Sequence, residues 1–157
     1  MTVVDAVTEI LKQALQSQGV AVYDTGATVP DNVAEYFRLA IRSERVDNGN
    51  LSKSGAFPID DRRLTVLLSS CVIGTKSQAE DLRNLGVQAV GQIARILFKG
   101  LVSEFPTEID TEWEYSGKVD QSKICAHTDW SFRYQTPRGT LQSSLTAIRL
   151  FIDGGTF

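Results

Sequence analysis

The densest collection of chemically capable side chains is Cys125-Ala126-His127-Thr128-Asp129, which gathers a thiol, the chain's one histidine and a carboxylate within five residues. On a strand, alternate side chains share a face, so all three would project together. A cysteine–histidine mechanism needs the nucleophile and its base in hydrogen-bond contact. Neighbours at i and i+2 on one strand stand about 6.5–7 Å apart, beyond that reach. The cluster therefore reads as ordinary strand packing. A second stretch, Val72-Ile73-Gly74-Thr75-Lys76-Ser77, runs from strand to helix and carries Lys-Ser where a phosphate loop would. Such a loop needs glycine directly before the lysine so that backbone N–H groups can wrap phosphate, and Thr75 stands there instead. A third, Glu108, Asp110, Glu112 and Glu114, puts four carboxylates on alternate positions. Carboxylates along one extended strand do not curl around a hard cation, so this face is expected to meet water or a cationic partner. No catalytic, cofactor-binding or metal-binding residues are expected.

The elements that position these residues follow from periodicity. Val3, Val7, Ile10, Leu11, Ala14 and Leu15 recur at three and four, forming one helical stripe that Gly19 can end. Val20 to Tyr23 is a short β-prone run, followed by the turn formers Asp24-Thr25-Gly26 and Pro30-Asp31-Asn32. Val33 to Arg42 alternates, with Phe37, Leu39 and Ile41 opposite Tyr36, Arg38 and Arg42. Ser43 to Arg62 lacks sustained periodicity and is expected to be a long, mobile loop. Leu64 to Ile73 is strongly β-prone, with Leu64, Val66, Leu68 and Val72 on one face, and belongs centrally in a sheet. Ser77-Gln78-Ala79-Glu80 is a capping-box sequence ahead of a second amphipathic helix through Leu97, with Gly100 as its stop. Three more strands are expected: the acidic one after Pro106, one over Ile124 to Gln135, and one over Leu141 to Ile152 beyond the turn Pro137-Arg138-Gly139. Trp130, Phe132 and Tyr134 are core fillers by this pattern, whereas Trp113, flanked by acids, is a candidate for an interface.

Two helices serving several strands without regular alternation point to an α+β fold, a mostly antiparallel sheet with both helices packed on one face. The 157 residues and 42% hydrophobic content suit one domain over 1–157. Nineteen acids against 16 lysines and arginines leave a formal charge of −3, which disfavours a phosphate-gripping role. Asp5, Glu9 and Lys12 interrupt the apolar N-terminal stretch, so neither a signal peptide nor a membrane span is expected, and the chain should remain in the cytoplasm. Cys71 and Cys125, far apart and outside any metal-ligand spacing, are expected to be packing thiols.

An N-terminal helix, Val22-Tyr23-Asp24 followed by Val29-Pro30, a strand around Tyr36 to Ile41, a long loop and a helix beginning near Gln78-Ala79-Glu80 together resemble the tail terminator, or tail-completion, proteins of long-tailed bacteriophages. The resemblance covers most of the chain and rests on order, length and hydrophobic pattern. It implies a virion protein, assembled in the host cytoplasm, that forms a homo-oligomeric ring, commonly of six subunits. Such a ring caps the tail tube protein, halts its polymerisation and meets the head–tail connector protein, while DNA passes through the lumen without specific binding. No cofactor and no membrane are implied. Ring closure needs heterologous contacts between unlike faces of identical subunits. The residues expected to supply partner contacts are Asn48, Lys53 and Phe57 of the loop and Glu108, Asp110, Glu112, Trp113 and Glu114 of the acidic strand. Acidic residues lining a lumen would keep DNA from sticking. Deleting Asn48 to Gly55 is expected to leave folding intact and abolish tail joining; normal joining would count against the loop's role. Two other functions fit the same pattern: a different head–tail joining or minor capsid component, and a small ligand-binding or hydrolytic domain, which would need a deep pocket with converging polar groups.

Overall fold

The computed structural model describes residues 3–46, 59–96, 106–118 and 121–137. Helix α1 (Val3–Gln16) is followed by strands β1 (Ala21–Asp24), β2 (Glu35–Val46) and β3 (Ile59–Ile73), helix α2 (Lys76–Ile96), and strands β4 (Thr107–Lys118) and β5 (Gln121–Pro137). The strands form one sheet in the order β1-β2-β3-β5-β4, with β1 and β2 parallel and every other pair antiparallel. Fold class and the central place of β3 are as the sequence pattern implies.

Alternation decides which side of the sheet is covered. Phe37 and Leu39 of β2, Leu64, Val66, Leu68 and Val72 of β3, and Ile124, Trp130, Phe132 and Tyr134 of β5 are buried in one cluster. Val7, Leu11 and Leu15 of α1 and Ala79, Leu82, Ala89 and Val90 of α2 pack into the same cluster, so both helices lie on one face. The stripe read from residues 3–15 is the stripe that is buried. Gly19, at φ +81°, takes the left-handed conformation that closes α1, its N–H donating to the Gln16 carbonyl at 3.0 Å. Glycine at 86 serves closeness instead: a Cβ there would stand 3.1 Å from the Phe37 ring and 3.3 Å from Leu68, so α2 presses on the sheet at that point.

Four expectations are corrected. First, the α2 cap sits two residues earlier than Ser77: the Gln78 N–H donates to Thr75 Oγ1 at 3.3 Å and Gln78 Oε1 accepts from the Thr75 N–H at 2.9 Å. The reciprocal chemistry is that of a capping box, with Thr75 and Gln78 in the roles given to Ser77 and Glu80. Second, Ser43–Val46 extend β2 and pair with Arg62–Thr65 of β3, and Ile59–Asp61 extend β3 and pair with Gln135–Pro137 of β5, so they are not loop. Third, Cys71 and Cys125 are directly opposite in the β3–β5 register and form a disulfide, not two thiols; both are buried, as packing residues are. Fourth, a bulge falls between Glu108 and Asp110 in β4 and breaks the four-acid face. The Leu141 to Ile152 strand and the remaining loop residues, with Asn48, Lys53 and Phe57, lie outside the described residues.

Candidate interaction surface

The helices cover one face of the sheet, so the chemistry of the chain is displayed on the other and along the two edges. At one end of the open face a small apolar cluster surrounds the disulfide: Tyr36, Cys71 and Cys125, with Tyr23, Val29 and Val33 packed against it. Tyr23 and Tyr36 meet edge to face at 5.7 Å, and Lys123 Nζ lies 5.4 Å from the Tyr36 ring centroid.

Beyond that cluster the open face is polar. Register places Ser69 opposite His127 and His127 opposite Glu112. Ser69 Oγ lies 2.7 Å from His127 Nδ1, and His127 Nε2 lies 2.7 Å from Glu114 Oε2. In the tautomer that carries its proton on Nε2, that N–H donates to the Glu114 carboxylate and Nδ1 accepts a hydrogen bond from the Ser69 hydroxyl. The Cys125-His127-Asp129 grouping does not exist as a unit, because Cys125 is in the disulfide and Asp129 accepts from Arg42 Nε at 3.0 Å. Its histidine instead finds a serine and a glutamate from neighbouring strands, a pairing that only the strand register reveals.

Serine, histidine and glutamate in series invite comparison with a nucleophile and its base, and the surroundings argue against it. Ser69 is buried mid-strand, its neighbours paired across to both β2 and β5, so backbone N–H groups there are taken up by ladders and none is left to stabilise an oxyanion. Neither Ser69 nor His127 lines the cleft between α1 and β2 or the one between α2 and β4. Among the described residues, no group of three His, Cys, Asp or Glu is placed to hold a metal ion.

The acidic strand separates into two parts. Asp110, Glu112 and Glu114 pair with Asp129, His127 and Cys125 and so remain together on the open face. The bulge turns Glu108 to the helix side, where it forms an ion pair with Arg83 of α2 and accepts from Thr111 Oγ1 at 2.9 Å. Trp113 is half-buried on that same side, packed against the core, with Lys76 Nζ 5.8 Å from its ring centroid. At the far end of the sheet Glu44, Arg62 and Tyr134 form a second polar knot, the Tyr134 hydroxyl donating to Glu44 and Arg62 lying 3.6 Å from the same carboxylate. Burial, reinforced by the Glu44 charge, pushes the Tyr134 hydroxyl well above the usual phenol range, so it stays protonated.

Two edges carry exposed apolar side chains: Ile41 and Val46 on β2, and Ile109 and Tyr115 on β4. Sequence reasoning singles out the acids of β4 but misses Arg45 and Val46, because the β2 alternation ends at Arg42, and it groups Ile41 with Phe37 and Leu39, which are buried where Ile41 is exposed. No described helix is long and apolar enough to cross a membrane.

No protein-family model and no curated protein matches the chain. Among solved structures, a chain from the virion of a native gene transfer agent particle is similar, with a TM-score of 0.50 and 15% identity, over 78% of this chain and 91% of that one. At this identity the likeness is one of fold.

Proposed function

We propose that this chain is a structural subunit of a phage-like particle, a ring-forming tail terminator that caps the tail tube and presents a surface to the head–tail connector. The observation that carries the reading is the fold likeness to a chain of a gene transfer agent virion, which extends over most of both chains. The distribution of side chains supports it. Among the described residues, one sheet face is closed by helices, while the other face and both edges display charge and isolated apolar groups, as a protein working through surfaces requires. Asp110, Glu112 and Glu114 give the open face an acidic edge that suits a cationic partner surface. The partners are further copies of the chain, the tube protein and the connector; another neck or minor capsid position would use the same features with different neighbours.

The test is imaging of particles assembled with and without the chain. Loss of the chain is expected to leave heads and tails unjoined, with tails of uncontrolled length. Normal joined particles made in its absence would refute the reading.

A hydrolytic role has one observation in its favour, the Ser69–His127–Glu114 series. Its ring nitrogens are used in the opposite sense to the familiar serine triad, in which Nε2 faces the serine. A serine-directed fluorophosphonate labelling the intact chain at Ser69, with labelling lost in Ser69→Ala, would favour it; an unlabelled chain excludes an activated nucleophile.

A further inference from the structure

The outer edge of β2 is only half occupied. β1 pairs with Tyr36 to Leu39 and stops at Asp24, and the Thr25 hydroxyl donates to the Leu39 carbonyl at 3.0 Å, closing that stretch. From Ala40 to Val46 the strand pairs with β3 on its inner side, and no described strand pairs with it on its outer side. Beside this open stretch, between it and α1, lies a groove of about 390 Å³ floored by Val4, Thr8, Leu39 and Ile41. At the opposite edge of the same sheet, β4 pairs with β5 on its inner side, and no described strand pairs with it on its outer side.

We infer that the β2 edge from Ala40 to Val46 receives the β4 edge of a second copy of this chain, joining the sheets head to tail. The inference rests on the assembly reading above and specifies its contact. Direction fits. β2 and β5 both run antiparallel to β3, and β4 runs antiparallel to β5, so an incoming β4 of a copy in the same orientation meets β2 antiparallel with its helices on the same face. Charge fits as well. On the open face this part of β2 carries Arg42 and Arg45, and β4 carries Asp110, Glu112 and Glu114. Cross-strand pairs of opposite charge favour this partner edge, while like charges disfavour β2 on β2 or β4 on β4.

One register satisfies both faces. With Arg45 opposite the incoming Glu112, Ser43 stands opposite Glu114. Past the irregularity at Arg42, Ile41 then meets Tyr115 above the groove. Ile41 and Tyr115 are 41% and 59% exposed in the single chain, and this pairing would cover both. In this register Ser116 stands opposite Ala40, and Gly117 and Lys118 come level with Leu39 and Arg38, which β1 already pairs, so the contact runs from Arg45 to Ala40 and the last two residues of the incoming strand must turn away from the edge, starting at the positive-φ Gly117. Because the two edges differ, the contact is heterologous and generates a ring when the rotation between copies closes.

The test is sedimentation of the full chain carrying Arg45→Glu or Glu112→Arg, alone and mixed. Each variant alone places like charges across the contact and is expected to weaken self-association by about tenfold or more. Mixed, the two variants restore opposite charges at every contact of an alternating assembly, and the wild-type oligomer should return; that rescue also shows both variants to be folded. If both variants alone keep the wild-type oligomer, the contact lies elsewhere, or residues 141–152 of the same chain occupy the edge, and the inference falls while the assembly reading stands. A monomeric wild-type chain overturns both.

Discussion

Ser69 is the residue whose surroundings most constrain interpretation. Its hydroxyl is buried and its observed side-chain partner is His127, which is itself held by Glu114. If the series is a tie across β3, β5 and β4, removing the histidine strands a buried hydroxyl, whereas removing the serine does not. His127→Ala should then cost about 1–3 kcal/mol and Ser69→Ala about 1 kcal/mol, with the double variant less unstable than the sum. Urea denaturation of the three variants measures this; strict additivity would show that the two groups do not interact. Tyr134 supplies a pH dependence at the other end of the sheet. Its folded-state pKa is raised above the free value of about 10, so its contribution is fully present below that value and is lost as pH rises beyond it. Wild-type stability should fall between roughly pH 10 and 12, and Tyr134→Phe should remove that part of the slope. None of these pairings was legible in the sequence. His127 was singled out with Cys125 and Asp129 because they are neighbours in the chain, whereas its partners are 58 and 13 residues away and are fixed by register.

At the scale of elements the sequence was informative wherever one face is buried. Both helices, the five described strands and the covered side of the sheet follow from apolar spacing, since a one-residue slip would turn each buried set to water. It failed at ends and irregularities. Ser43 to Val46 are exposed and Asp60 to Arg62 are all charged, so neither segment carries an apolar alternation signal, yet backbone pairing continues through them. The bulge beside Ile109 has no sequence mark either, and it alone moves Glu108 from the acidic row to Arg83. Two element-level predictions follow from packing. Gly86→Val should destabilise by about 1–3 kcal/mol, because its side chain must displace the Phe37 ring and Leu68 where α2 packs on the sheet; unchanged thermal stability would mean that α2 can lift off freely. The Cys71–Cys125 bond closes a chain segment of 54 residues between adjacent strands, so its reduction should lower stability by roughly 3–4 kcal/mol. Calorimetry with and without reductant reads this, and an identical Tm would show that the bond adds nothing to the fold.

At the scale of the molecule, the described residues place the main apolar core under two helices, and no described strand covers the outer sides of the two unlike edges. The arrangement has a direction, a basic edge and an acidic one on a single sheet, and such a unit repeats around an axis more naturally than it pairs face to face. Native mass spectrometry of the purified full chain tests the assembly account most directly. The account predicts one closed oligomer of defined stoichiometry, six copies if the resemblance to tail terminators extends to subunit number, and a ring when the same sample is imaged. A chain that stays monomeric at every concentration would contradict it.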